Sequence, residues 1–478
     1  MKKRYTALLV AAVALITGMS IFAQSGFSHE YNILKYGAKS DGKTVNTKFI
    51  QKAIDKCNMD GGGTVIVPPG KFITGMLYLK DNVTLRLEKG SLLESSIDIK
   101  DFPTNSEYDK CVISIDGKDN VSIIGEGTVD GRGDKFSVYN EAPNRPYVIY
   151  MNNSKNIRIK DVTLKNSARW TLRILSCEHV FVNGVSIYSQ TNYNNDGIDI
   201  DGRDIVISDC IVNCDDDAIC LKSNTDDFCE NIVVTNCVLR TNRNYIKFGT
   251  AGRSGFRNIS ISNITMDKPF EGHLTNWDKR IVGVDEPNTG ITGIVLEIVD
   301  GGIMDRVTIN NITMDGVQSP IFIRLGKRNR AKPVGQLKNV IISNVVAKTH
   351  SLLPCTITAI PGSYIENITL RDIIVYAKGG GDLEQATRDV IENEKGYPEN
   401  RMFGDILPGY GFYIRHAKNI SLFNVQLYLQ QPDYRSAIYL DDAHDIRIRD
   451  LKADKPEGTL PIINKNNSSG IDCDKDYN

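Results

Sequence analysis

Asn231-Ile232-Val233-Val234-Thr235-Asn236-Cys237 returns as Asn258-Ile259-Ser260-Ile261-Ser262-Asn263-Ile264. It returns again as Asn339-Val340-Ile341-Ile342-Ser343-Asn344-Val345 and as Asn419-Ile420-Ser421-Leu422-Phe423-Asn424-Val425. Variants of the unit begin at Asn156, Asp204, Arg306, Asn367 and Asp445. The apolar residue after the first position falls at Ile157, Val180, Ile205, Ile232 and Ile259, in steps of 23, 25, 27 and 27 residues. Short β-branched strands repeating at such a period mark a solenoid. Apolar and polar residues alternate within each unit, so one face is buried and the other free. Asn suits the turns because it tolerates left-handed backbone and bonds its own chain. Stacked turn upon turn, the Asn side chains can also bond one another along the axis. The expectation is an all-β parallel β-helix with strands ~4.8 Å apart along its axis. An antiparallel sandwich is the competing reading, but hairpins need no constant period.

The chain has 478 residues and a formal net charge of −1. Such a balance creates no global field toward nucleic acid or an anionic membrane. Basic Lys2, Lys3 and Arg4 precede an apolar run from Ala7 to Ala23 and polar Gln24. Residues 1–23 therefore read as a signal peptide, leaving an exported (periplasmic or extracellular) chain. No later stretch is long and apolar enough to span a membrane, and no Cys follows the apolar run to take a lipid anchor. Ten cysteines, five of them between 210 and 237, could pair in an oxidising compartment or pack as small buried hydrophobes. No CxxC or His-rich spacing appears, so neither a metal nor another cofactor is expected. Coils contact only their neighbours, which lifts the usual size limit. Residues 24–478 are thus expected to be one catalytic domain, acting as a monomer.

Residues 30–75 form a distinct entry region. A helix is predicted near 46–58, with Phe49, Ile50, Ala53, Ile54 and Cys57 on one apolar stripe. It would cap the end strand of the coil against edge-to-edge pairing. The regular march breaks twice. Ile259 to Val307 reads as roughly two coils with an insertion at 267–290, and Ile368 to Ile420 contains a second insertion at 378–410. Insertions of this kind leave one side of a solenoid and wall a groove. They carry His273, Trp277, Lys279 and Arg280 in one case and Arg401 in the other; plain solvated loop is the alternative for each.

Carboxylates concentrate in Asn194-Asn195-Asp196-Gly197-Ile198-Asp199-Ile200-Asp201-Gly202 and Asp215-Asp216-Asp217-Ala218-Ile219-Cys220-Leu221-Lys222-Ser223. Aligning Ile198 with Ile219 and Ile200 with Leu221 stacks Asp196, Asp217 and Asn244 in one column. Asp199, Cys220 and Lys247 form a second, and Asp201 and Lys222 share a third. Crowded carboxylates raise some pKa values and leave others ionised, which lets an acid and a base work at one pH. Strict alternation would send Asp196 and Asp217 into the core at great cost, so both are expected in the turn before the strand, facing out. A calcium site or a simple turn cluster is the competing reading.

These residues resemble glycoside hydrolase family 28, the polygalacturonase family, over nearly all of the chain after the signal peptide. The likeness includes the Tyr36-Gly37-Ala38-x-x-Asp41-Gly42 entry and Asn166-Ser167-Ala168-Arg169-Trp170, where the family usually has Pro at Ala168. It also includes Asn194-Asn195-Asp196-Gly197 and Asp216-Asp217 with the residues that follow. The resemblance implies a right-handed parallel β-helix that cuts α-linked galacturonate in pectin by inversion. It implies that Asp216 protonates the leaving oxygen while Asp196 and Asp217 activate water, with carboxyl groups ~6.5–9.5 Å apart. The family's Gly-His-Gly should fall near Arg243-Asn244-Tyr245 and its Arg-Ile-Lys near Val295-Leu296-Glu297. Neither is present. Those cations normally grip the galacturonate carboxylate, so decorated or rhamnogalacturonan pieces of pectin fit better than plain homogalacturonan.

Substitute cations are expected at Lys222, Lys247 and Arg243, with Arg173 one coil earlier and Arg324 two coils later. Lys222 and Lys247 either take over part of the substrate grip or merely neutralise Asp199 or Asp201. A lyase or epimerase on the same fold, and a glycan-binding β-helix without catalysis, are the rival functions.

Overall fold

The computed structural model describes residues 29–104, 106, 109–136, 144–271, 289–329, 332–404 and 406–477. The expected signal peptide and most of the 267–290 insertion, including His273, Trp277, Lys279 and Arg280, lie outside the described residues.

Strand pairing is parallel along the described chain, and between its ends most strands bond to one a winding earlier and one a winding later. The marker residues pair directly: Ile157 with Val180, Val180 with Ile205, Ile205 with Ile232 and Ile232 with Ile259. Their side chains form the core that runs down the coil, because alternate residues of every strand point inward.

The turns are built as the Asn-rich units suggest. Asn231, Asn258, Asn339, Asn367 and Asn419 all take φ between 52° and 59°, where a β-branched side chain would clash. Their amides bond along the axis: Asn258 donates to Asn231 at 3.2 Å, Asn367 to Asn339 at 3.0 Å and Asn419 to Asn367 at 2.7 Å. A second ladder runs through Asn236, Asn263, Asn311 and Asn344 at 3.0–3.1 Å per step.

One expectation is corrected. Ile259 pairs directly with Val307, so residues 259–307 make one enlarged winding and not two coils. Ile368 pairs with Ile420 in the same way. An insertion lengthens a winding without disturbing the register on either side of it.

The entry helix is Thr47–Met59 and buries Ile50, Ala53, Ile54 and Cys57; Phe49 packs partly buried beside them. Asn46 does not cap that helix. Its amide instead ties Lys39 and Thr44 through their carbonyls.

The 378–410 insertion folds back onto the coil. Met402, Phe403 and Leu407 pack against the outward side chains of Val295, Phe322 and Tyr413, covering a sheet face that alternation would leave in water. Arg388 laces the insertion internally by donating to the carbonyls of Phe403 and Ile406. All ten cysteines are free thiols, nine of them buried.

Candidate active site

The acidic residues enter the structure from a turn that is pinned on several sides. Asn195 is wholly buried. Its amide donates to the carbonyls of Ser167 and Arg169, and its oxygen accepts from Thr191 and Asn192. Asn194 holds φ 52° and accepts from Arg145 at 3.2 Å. The next residue, Asp196, is thereby fixed ahead of the strand Ile198–Ser208.

The register is the expected one. Ile198 pairs with Ile219 and Asp199 with Cys220, and Cys220 pairs in turn with Lys247. Asp196 and Asp217 do lie just before their strands, yet they do not face water. They are 3% and 4% exposed, because the cationic side chains of neighbouring windings close over them.

Asp196, Asp216 and Asp217 converge, with one carboxylate oxygen from each within 4.8 Å of the others. This is closer than the separation expected for a pair that holds a water between them. Lys247 Nζ lies 3.0 Å from Asp217 Oδ2, and Asn244 donates to Asp217 Oδ1 at 2.6 Å. Lys222 Nζ lies 2.9 Å from Asp199 and 3.8 Å from Asp196. Asp216 Oδ1 accepts the backbone N–H of Asp217 at 2.9 Å.

These surroundings divide the protonation states. Burial pushes Asp196 well above the carboxylate range, and the neighbouring charges of Asp199 and Asp216 push it further. Burial likewise raises Asp216, against the pull of the Arg243 guanidinium. At Asp217 burial acts upward too, but Lys247, Lys222 and the Asn244 bond outweigh it and hold the carboxylate ionised below its usual range. The surroundings thus favour the protonated form at Asp196 and Asp216 and the ionised form at Asp217, the direction of division that acid–base catalysis uses. Three such carboxylates could also grip a divalent cation. Lys247 and Lys222 already supply positive charge at ion-pair distance, which opposes a metal there.

The expected cations fall into three groups. Lys222, Lys247 and Arg243 stand at the acid cluster; Lys222 is ion-paired with Asp199, one of the two carboxylates named for it, whereas Lys247 meets Asp217 instead of Asp199 or Asp201. Arg173 pairs in register with Asp199, while its guanidinium bonds the Tyr147 hydroxyl at 2.8 Å. Arg324 departs from its expected place in the groove. It is 1% exposed and donates to the carbonyls of Ala359, Glu392 and Asn393, so it anchors the insertion to the coil.

Three side chains at the site were given no role from the sequence. Glu297 pairs in register with Arg324 and is 1% exposed; burial lifts its carboxyl to about 8. Tyr397 reaches over from the insertion, its hydroxyl 3.3 Å from Lys247 Nζ and 3.1 Å from Thr250 Oγ1. Trp170 occupies the column of Asp196 one winding earlier, as the Thr171 N–H to Asp196 O and Leu172 N–H to Gly197 O bonds show. Extending the register backward from Leu172 and Ile198 would have found it.

A model of glycosyl hydrolases family 28 matches residues 57–394. The chain belongs to that family, and with it to the glycosidases. An exopolygalacturonase of Zea mays is 24% identical over 78% of this chain and 89% of its own length. A probable polygalacturonase of Vitis vinifera is 27% identical, but the match spans only 48% of that protein. The solved structure of a hyperthermoactive exopolygalacturonase from Thermotoga maritima superposes with a TM-score of 0.58 at 17% identity. It covers 84% of this chain and 91% of that one, a likeness of fold.

Proposed function

We propose that this family 28 glycosidase hydrolyses α-linked galacturonate-containing pectic chains by an inverting acid–base mechanism, working from a chain end. The carrying observation is the convergence of three carboxylates whose surroundings push their pKa values in opposite directions. Asp216, whose burial favours the protonated form, delivers its proton to the glycosidic oxygen as the bond from that oxygen to the anomeric carbon breaks. Asp217 takes a proton from the attacking water, whose oxygen bonds to the anomeric carbon. The sequence reading gave Asp196 a share of the base role. Its raised pKa suits it better as a protonated donor that orients the same water.

Both Asp217 oxygens are engaged, by Asn244 and Lys247. These contacts keep the carboxylate ionised, as a base that takes a proton from water must be. Chain-end action is supported by the insertion, which covers the outward face at Val295, Phe322 and Tyr413 and sets Tyr397 against Lys247. The same reading takes the coil as right-handed, with Thr47–Met59 capping its first winding, and residues 24–478 as one exported, monomeric domain. Among the described residues no helix is long and apolar enough to cross a membrane.

The test is proton NMR of defined galacturonate oligosaccharides, plain and rhamnose-containing, during early turnover. The β-anomer should appear first, in mono- or disaccharide products alone. The α-anomer appearing first would sink inversion, and products spread over all lengths would sink chain-end action.

A further inference from the structure

We propose that the uronate carboxylate is gripped on the winding before the acid cluster, where Arg169 clamps it beside Trp170. The proposal rests on the galacturonate reading above and adds the residue that recognises the acid.

Three cations surround the Trp170 indole, with Lys222 Nζ 4.5 Å, the Arg173 guanidinium 5.0 Å and the Arg169 guanidinium 5.4 Å from the ring centre. Two already have partners near the reaction centre. Lys222 is ion-paired with Asp199, and Arg173 is bonded to Tyr147 and aligned with Asp199. Arg169 makes no ion pair among the described residues and is only half-buried.

Its position is nevertheless fixed. The Arg169 carbonyl accepts from Asn195 at 3.0 Å and its N–H donates to Ser167 Oγ at 3.3 Å. That attaches it to the turn that carries Asp196. Its guanidinium lies 5.3 Å from the Tyr147 ring centre, so two aromatic faces hold it by cation–π attraction and leave N–H edges for a carboxylate. A planar guanidinium binds a carboxylate through two parallel bonds, which a lysine cannot do.

The opposite side of the cluster is unfit for the same task. There Lys247 is held by Asp217, Arg324 by backbone carbonyls, and Glu297 stands where the family pattern carries a cation. An incoming carboxylate would meet acidic groups on that side and an uncommitted cation on this one.

The test compares wild type, Arg169→Ala and Arg169→Lys on galacturonate oligosaccharides and on the same oligosaccharides reduced to galactose. Binding is read by calorimetry, and turnover by product release. Losing a charge-assisted bidentate contact should weaken binding of the acidic ligand, and raise KM, about tenfold or more. The turnover number should stay within about threefold, Arg169→Lys should recover part of the loss, and affinity for the reduced ligand should not change. Equal losses on both ligands, or no loss on the acidic one, would overturn the proposal. Wild type that binds the acidic ligand without cleaving it would refute the hydrolase reading and leave the Arg169 clamp standing.

Discussion

At the scale of single residues, the site turns on which carboxyl keeps its proton. Asp216→Asn removes the proposed acid while keeping its shape, and turnover should fall about 100-fold or more; steady-state kinetics on a galacturonate oligosaccharide measures this. Lys247 is the largest influence pulling Asp217 down, so Lys247→Met should move the acid limb of the pH–rate profile upward by about one unit or more. An unmoved limb would mean that another group sets it. The columns of Asp196, Asp217 and Asn244 were legible because strand register transmits a fixed offset along the chain. Their burial was not, since it depends on Lys222 and Lys247 folding over them, and no local pattern encodes that. Glu297 was visible only as a missing cation. Its raised pKa comes from burial, which the Asp217 charge reinforces and Lys247 and Thr250 oppose, a property of the assembled site.

At the scale of elements, the Asn ladders stabilise the turns in two ways, through side-chain bonds and through tolerance of left-handed backbone. Asn263 donates to Asn236 and accepts from Asn311 at φ 57°. Asn263→Ala loses the bonds and adds strain, at a cost of about 1–3 kcal/mol. Asn263→Gly loses only the bonds and should unfold at a higher temperature than the Ala variant. The ladders could be anticipated from spacing because each Asn bonds the equivalent Asn of a neighbouring repeat. The insertion at 378–410 could be located but not folded from sequence, since its place depends on distant partners: Arg324, and Arg415 bonding the carbonyls of Val390 and Ile391. Arg324→Ala should free this element. The expected signs are faster proteolysis within residues 388–407 and longer products from polymeric substrate, with circular dichroism unchanged. A product profile identical to wild type would argue that the insertion does not set the cleavage mode.

At the scale of the whole molecule, buried charge should shape stability against pH. Burial pushes the Glu297 carboxyl up to about 8 in the folded chain, against 4.5 for an ordinary glutamate. The unfolded chain binds fewer protons across that window, so stability falls as pH rises through it. Glu297→Gln should therefore melt like wild type at pH 4 and at a higher temperature than wild type at pH 9. The same difference at both values would rule out the buried proton as its cause. Chelation offers a second global test. Lysine ammonium groups already stand beside the acidic cluster, so dialysis against EDTA should leave activity unchanged. The all-β, parallel architecture was legible in the repeat because each strand needs only the register of its neighbours. The proposed substrate grip was less legible, because it sets Arg169 and Trp170 against Tyr147 of the preceding winding.

The most direct measurement is mass spectrometry of products formed from a galacturonate oligosaccharide in ¹⁸O-labelled water, with wild type and Asp216→Asn side by side. Hydrolysis by this site should give saturated products carrying one ¹⁸O at the new reducing end, with almost none from the variant. Unsaturated products lacking the label, or wild-type turnover by Asp216→Asn, would contradict it.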